Sequence, residues 1–169
     1  MANDEQVTVL LPAFVFGPPL QVSSLQNLNL SVQVVYNYFN GTFDELPNTH
    51  DADLFSSYID VRDLAIAHVR SLTVPEAANR RFLIGGEEAT SSFIVKTLQG
   101  LVEKGQLPEL EGRLPKDTGK DVDLSLVRMD AKEGNEVLGL ELRSAEETFR
   151  DLARRILELE KREGKVVTP

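Results

Sequence analysis

The chain has 169 residues, 41% hydrophobic and 27% charged, which is enough for one domain with its own core and excludes a disordered tail. It has no cysteine and only two histidines, His50 and His68, which excludes a disulfide framework, a thiolate nucleophile and cysteine-based metal sites. A formal net charge of −9 repels phosphate backbones and anionic lipid, so no nucleic acid and no membrane is expected as a partner.

The opening Met1–Gln6 is polar and acidic, unlike a signal peptide, and no run approaches the ~20 apolar residues of a membrane span, so a cytoplasmic location is expected. Val7–Leu11 is aliphatic and β-branched without alternation, the pattern of a strand buried on both faces in a parallel sheet. Pro12 stops it. Ala13–Pro19 reads as an apolar loop punctuated by Gly17, Pro18 and Pro19. An apolar loop just past the C-terminal end of a parallel strand is where open α/β sheets place ligands, and it is equally the pattern of a buried connector.

Leu25, Leu28, Val32, Val35 and Phe39 fall three and four apart and predict a helix over 24–40, with Gly41 as its stop. Residues 42–53 are polar and contain Pro47, so they read as loop, and Leu54–Ile59 as a short strand. Asp60 caps a helix over 61–73 whose apolar stripe is Leu64, Ala65, Ala67, His68 and Leu72, with Pro75 ending it. Arg81–Ile84 is a second short strand, closed by Gly85 and Gly86.

Thr90 or Ser91 opens a helix with Phe93, Ile94, Leu98 and Leu101 inward, ended by Gly105 and Pro108. Glu109–Val122 is poor in apolar residues and predicts an exposed loop. Asp130 caps a short helix to Leu138 with Gly139 behind it. Ser144-Ala145-Glu146-Glu147 is a capping box opening a helix to about Arg162 along Phe149, Leu152, Ile156 and Leu159, and Gly164–Pro169 reads as a loose tail. The fold class is therefore α/β, with strands and helices alternating but too few strands for a doubly wound sheet. The Val7–Leu11 strand is expected to have an open edge, a surface for self-association or for a neighbour.

Chemistry is sparse. The glycines never fall into a dinucleotide-binding G-x-G-x-x-G or G-x-x-G-x-x-G turn or a phosphate-cradling G-x-x-x-x-G-K-[ST] loop. Tyr58 and Arg62 mimic the spacing of a Tyr-x-x-x-Lys proton donor, but a strand end and the following helix do not share one face, so Tyr58 reads as structural. Asp60 and Asp63 read as a cap and a salt-bridging or exposed first-turn carboxylate, and His68 as a satisfied core histidine. Neither a catalytic residue nor a metal ligand is assigned.

Four segments in order resemble the second half of the extended short-chain dehydrogenases/reductases, in the dihydroflavonol, cinnamoyl-CoA and fungal methylglyoxal/ketone reductase branch. They are Pro12-Ala13-Phe14-Val15-Phe16-Gly17-Pro18, Asn29-Leu30-Ser31, Tyr58-Ile59-Asp60-Val61-Arg62-Asp63-Leu64-Ala65-Ile66-Ala67-His68-Val69, and Pro75-Glu76-Ala77 with Arg81-Phe82-Leu83. The resemblance implies the outer strands of a Rossmann-type parallel sheet plus a mostly helical substrate-binding subdomain, all of residues 1–169 forming one substrate-side region. It implies NADP as cofactor, with Pro12 and backbone near Val15 against the nicotinamide, Ser31 reaching the phosphates, and Phe14 lining the pocket of a small carbonyl substrate. Asp60–Arg62 would be structural.

The family's Gly-rich turn and Ser/Tyr/Lys trio are absent from this sequence. It therefore reads as a truncated carbonyl oxidoreductase, inactive alone, with a non-catalytic interaction module or a nucleotide-sugar epimerase/dehydratase relative as alternatives. NADH and NADPH are not distinguished.

Overall fold

The aliphatic run near the start of the chain forms β1 (Val9–Pro12), kinks at Ala13 and continues as β2 (Phe14–Phe16). The structure, a computed structural model, describes residues 6–46, 57–117 and 129–165; His50, the expected strand residues 54–56 and the tail from Val166 lie outside them. β1 pairs in parallel with β4 (Arg81–Ile84), Val9 opposite Arg81. β2 pairs in parallel with β3 (Tyr58–Asp60), Phe14 opposite Tyr58. The expected apolar loop at Ala13–Pro19 is thus corrected over its first half: Phe14–Phe16 is a strand, because aromatic and β-branched residues suit a half-buried pleat and β3 supplies a partner.

The change of partner happens within two residues. The Ala13 N–H donates to Ile84 O (2.9 Å) and the Phe14 N–H to Ser57 O (3.2 Å). β3 takes over as β4 turns away, since Gly86 N–H donates to Tyr58 O (2.7 Å) and Tyr58 N–H to Glu87 O (3.1 Å). A Cβ on Gly85 would sit 2.7 Å from that of Ala13, so the crossing needs glycine.

Alternation along β2 and β3 feeds two cores. Phe16 and Tyr58, with Phe14 beside them, point into a helical core. Val15 and Ile59 point into a second core with Phe82, Ile84, Ala67 and Leu138. The helical core is built by α1 (Leu30–Asn37), α3 (Ser91–Glu103) and α5 (Ala145–Glu163). The helix expected over 24–40 is shorter, a 3₁₀ turn at Leu25–Asn27 and then α1, because the Asn29 side chain accepts from Val32 N–H (3.0 Å) as a cap. Thr90 caps α3 through Phe93 N–H (3.1 Å).

Ser144 caps α5 through Glu147 N–H (3.2 Å), but the Glu147 carboxylate turns to Arg143 Nε (3.2 Å), so only half of the expected capping box is described. Phe149, Leu152, Ile156 and Leu159 are fully buried, as their spacing predicts.

The expected exposed loop at Glu109–Val122 holds at Glu109, Glu111, Gly112 and Lys116 and is corrected at Leu110, Arg113 and Pro115. Leu110 and Pro115 are buried, and Arg113 forms an ion pair with Glu160 (2.7 Å) in which each side chain is only 5% exposed. The guanidinium also donates to Phe39 O (3.0 Å) and lies over the Phe39 ring. Burial, then the Glu160 charge and hydrogen bond, push the Tyr36 phenol up to about 12. A charge with a matched partner enters a core that an apolar count assigns to solvent.

α2 (Val61–Thr73) begins where Asp60 was expected to cap it, with Arg62 N–H on Asp60 Oδ1 at 2.8 Å. Its stripe needs correction. Ala67 is buried, but Leu72 is 87% and Val69 64% exposed. His68 is exposed, its Nδ1 2.8 Å from Leu64 O, so it is not a core histidine. The strand expected to be buried on both faces is covered on one only: Val7, Val9 and Leu11 are exposed, as is Leu83 on β4. The short α4 (Lys132–Val137) lies directly on β4, where Leu83 O leaves no room for a Cβ on Gly134.

Removing one partner of the Arg113–Glu160 pair leaves a buried charge. Glu160→Ala is expected to lower stability by about 3–5 kcal/mol in denaturant titration, and the double change Arg113→Met with Glu160→Leu to restore most of it. A loss under about 1 kcal/mol in the single variant would show the pair to be solvated.

Candidate cofactor and substrate wall

The residues singled out from the sequence fall on two neighbouring elements. Pro12 is exposed at the end of β1, Phe14 is half-buried in β2 with its ring edge-on to Phe16 at 5.0 Å, and Val15 is half-buried beside it. In a parallel ladder successive residues turn their peptide groups to opposite sides. Phe14 spends its N–H on Ser57, so the N–H and C=O of Val15 face away from β3.

Gly17 follows at φ +130°, where a Cβ would press on Val61 at 2.8 Å, so the chain turns off the strand hard against the start of α2. Ser31 sits in the first turn of α1, half-buried, its hydroxyl donating to Asn29 Oδ1 at 3.3 Å. α1 packs against β2.

The candidate wall thus consists of an apolar ring, a strand residue with outward peptide groups, and a hydroxyl at a helix N-terminus, groups of the kind a dinucleotide can use. A proton donor is not among its described residues. Tyr58 is enclosed between Phe16 and Phe149, with ring centroids at 6.2 and 5.4 Å. Burial first, then the charges of Glu87, Asp60 and Asp63, push its phenol far above the ordinary tyrosine range, the reverse of what a carbonyl protonator needs. Tyr58 is a packing residue.

Behind the wall, charged side chains tie α2 to α5. Asp60 takes the Arg62 guanidinium through both oxygens (2.9 and 2.7 Å), and Arg62 reaches Asp151 at 2.7 Å. Burial alone would raise the Asp60 carboxyl, but hydrogen bonds from the Arg62 side chain and backbone hold it below the ordinary range. The hydrogen bond to Asp60 in turn raises Arg62. Asp63, buried, pairs with Arg143 and also accepts its backbone N–H at 2.8 Å.

Of the two roles expected for Asp63, exposed or salt-bridging, the second holds. Its partner lies eighty residues away on a segment with no motif, so no local pattern announces it. Two clefts flank this bridge, of about 540 and 520 Å³. Both are lined by Asp63, Leu142, Arg143 and Ser144, and neither by Pro12, Phe14, Val15 or Ser31. Among the described residues, no cluster of three or more His, Asp or Glu is arranged to hold a metal.

No family profile matches the chain. The NADPH-dependent methylglyoxal reductase GRE2 of Saccharomyces cerevisiae is 28% identical over 161 residues, which are 93% of this chain and 44% of that protein. The crystal structure of yeast Gre2 complexed with NADPH superposes with a TM-score of 0.70 at 25% identity, covering 95% of this chain and 45% of that one. The ketoreductase azaE of Aspergillus niger is 30% identical over 152 residues, 89% of this chain and 40% of its own length. Over about nine tenths of its length the chain is similar to part of the reductases of the short-chain dehydrogenase/reductase and epimerase family.

It spans about two fifths of the length of these curated relatives. Its parallel strands and helices are the α/β architecture expected from the motifs. Within this reductase branch, the Tyr58–Val69 motif becomes a packed tyrosine, a helix cap and two ion pairs.

The shifted groups set a pH range for stability. The folded-state pKa of Asp60 is depressed, so its contribution is present above the unfolded value near 4 and is lost as pH falls through the folded one. Tyr36 is raised, so its contribution holds below about 10 and is lost as pH rises through about 12. Arg62→Met is expected to move the acid-unfolding midpoint, followed by circular dichroism, to higher pH. An unchanged midpoint would show that Arg62 does not hold Asp60 ionised.

Proposed function

We propose that this chain supplies the substrate-side wall of an NADPH-dependent reductase of small aldehydes or ketones, the whole of residues 1–169 serving as that region, in a cytoplasmic setting. The observation that carries the reading is the β2 segment, where Phe14 presents an aromatic ring beside a residue whose peptide groups point outward. In this reading Pro12 and the Val15 backbone orient the nicotinamide carboxamide, Ser31 donates to a phosphate oxygen, and Phe14 packs against the carbonyl substrate. NADPH, when bound, supplies the hydride. The residues of this chain position ring and substrate and exclude water; they do not supply the proton.

The chain alone is accordingly inactive in this reading. Support comes from the buried, protonated Tyr58 and from a sequence without a Gly-rich pyrophosphate turn. That the named relative reduces methylglyoxal with NADPH favours a small carbonyl substrate over a nucleotide sugar.

The test replaces the matched portion of yeast Gre2 with this chain in one fused polypeptide. The isolated chain is expected to leave NADPH fluorescence unchanged, and the folded fusion to bind NADPH and oxidise it with methylglyoxal. Within the fusion, Ser31→Ala is expected to weaken NADPH binding by about three- to tenfold, and Phe14→Ala to act mainly on the carbonyl KM. A folded fusion that binds no NADPH would contradict the proposal, as would tight NADPH binding by the chain alone.

A further inference from the structure

Asn40-Gly41 is the one Asn-Gly step in the sequence; none of the other seven asparagines is followed by glycine. A main-chain nitrogen can attack the side-chain amide of the residue before it, and glycine, lacking a Cβ, leaves that approach open. The fold places this step just past α1, in a turn where Asn40 is half-buried and Gly41 and Thr42 are exposed. Gly41 sits at φ +85°, where a Cβ would meet nothing within 4 Å. Among the described residues no main-chain carbonyl accepts its N–H.

The Asn40 side chain is held at both of its polar atoms. Its Oδ1 accepts from the Thr42 N–H (2.9 Å) and from the Thr42 hydroxyl (2.5 Å), a turn in which a short polar side chain bonds its own backbone two residues on. Its Nδ2 donates to Asn37 Oδ1 (3.2 Å), which also accepts from Gln33 Nε2 (2.7 Å). Two donors thus converge on the oxygen that gains charge when the amide carbon is attacked, the arrangement that stabilises an oxyanion.

We propose that Asn40 is a site of spontaneous modification in the folded chain, closing to a succinimide with Gly41 and opening to aspartate and isoaspartate, with Thr42 as the positioning residue. The Gly41 nitrogen gives up its proton to hydroxide and bonds to Asn40 Cγ, and the negative charge forms on Oδ1 under the two Thr42 donors. Collapse of that intermediate breaks the Cγ–Nδ2 bond, and the nitrogen takes a proton from water and leaves as ammonia. Water then opens the ring at either carbonyl. Attack at Cγ gives aspartate on the native main chain; attack at the main-chain carbonyl gives isoaspartate, whose backbone is longer by a methylene. The sum is an amide and water going to a carboxylate and ammonium.

Both products disturb the end of α1. Aspartate has no donor for Asn37 Oδ1, which Gln33 keeps as an acceptor, so two oxygens are left facing each other. A carboxylate past the last turn of a helix also opposes its dipole. Isoaspartate lengthens the main chain directly after Phe39, which is fully buried and holds the Arg113 guanidinium on its carbonyl (3.0 Å) and over its ring. Chemistry at an exposed turn is thereby coupled to the Arg113–Glu160 pair.

The test keeps the full chain folded in mildly alkaline buffer and follows every asparagine peptide by mass spectrometry, with isoaspartate content as a second readout. Asn40 is expected to convert at least about tenfold faster than any other asparagine. Thr42→Val keeps the N–H and removes the hydroxyl, and should slow conversion about three- to tenfold in the folded chain while leaving the rate in denaturant unchanged. Thr42→Ser, which keeps the hydroxyl, should age at nearly the wild-type rate. Asn40→Asp should lower the melting temperature, and an unchanged value would overturn the coupling to the core. An Asn40 that stays an amide in the folded chain while converting in denaturant would overturn the proposal, as would a Thr42→Val chain that ages like the wild type. No cofactor enters these measurements, so their outcome is independent of the reductase reading.

Discussion

A single extended run that changes partners at Ala13 places every other feature of this molecule. Its first half holds β4 and its second half β3. The side chains of that second half alternate between the helical core and the smaller core under α2. Two hydrophobic clusters therefore share one thin wall of backbone, and residues on either side of it cannot move independently. Phe16, Tyr58 and Phe149 lock the wall from the helical side with ring contacts of 5.3 to 6.2 Å; Val15 and Ile59 lock it from the other. Interactions of this kind are worth about 0.5–1.5 kcal/mol per ring pair beyond area burial.

Electrostatics reinforce the same junction. Asp60 lies at the end of β3 and caps α2, and its guanidinium partner Arg62 reaches α5 through Asp151. Asp63 one turn along holds Arg143, just ahead of the Ser144 cap. The N-terminal turns of α2 and α5 are thus cross-braced at the point where β3 emerges from between the cores. This bracing fixes the direction in which the Phe14–Phe16 segment is presented. A wall of the kind proposed would have to be rigid to within a fraction of an ångström, and here the Asp60–Arg62–Asp151 and Asp63–Arg143 ion pairs supply the bracing.

Much of this was legible in sequence where a local rule sufficed. Asp60 and Ser144 announce helix starts because their side chains complete orphan N–H groups a few residues on, and Phe149 to Leu159 announce a buried stripe. Arg81–Ile84 announces a strand by its short apolar run and its closing glycines. The misses share a cause: they depend on partners distant in the chain. Phe14–Phe16 reads as loop until β3 is beside it. Arg113 reads as surface until Glu160 meets it. Leu72 and His68 read as core because a helical wheel shows an apolar side without showing which side has a neighbour. The proposed contact residues Pro12, Phe14, Val15 and Ser31 come from the family motifs alone, since neither of the two clefts beside Asp63 and Arg143 is lined by them.

β1 is half a pairing, satisfied toward β4 and, among the described residues, open on its other edge. Amide hydrogen exchange on the isolated chain reads this residue by residue. Val9 and Leu11 amides should be protected by the β4 ladder, while the Leu10 amide between them exchanges far faster. Protection of Leu10 equal to that of its two neighbours would contradict the account, since it would mean that the edge is already filled.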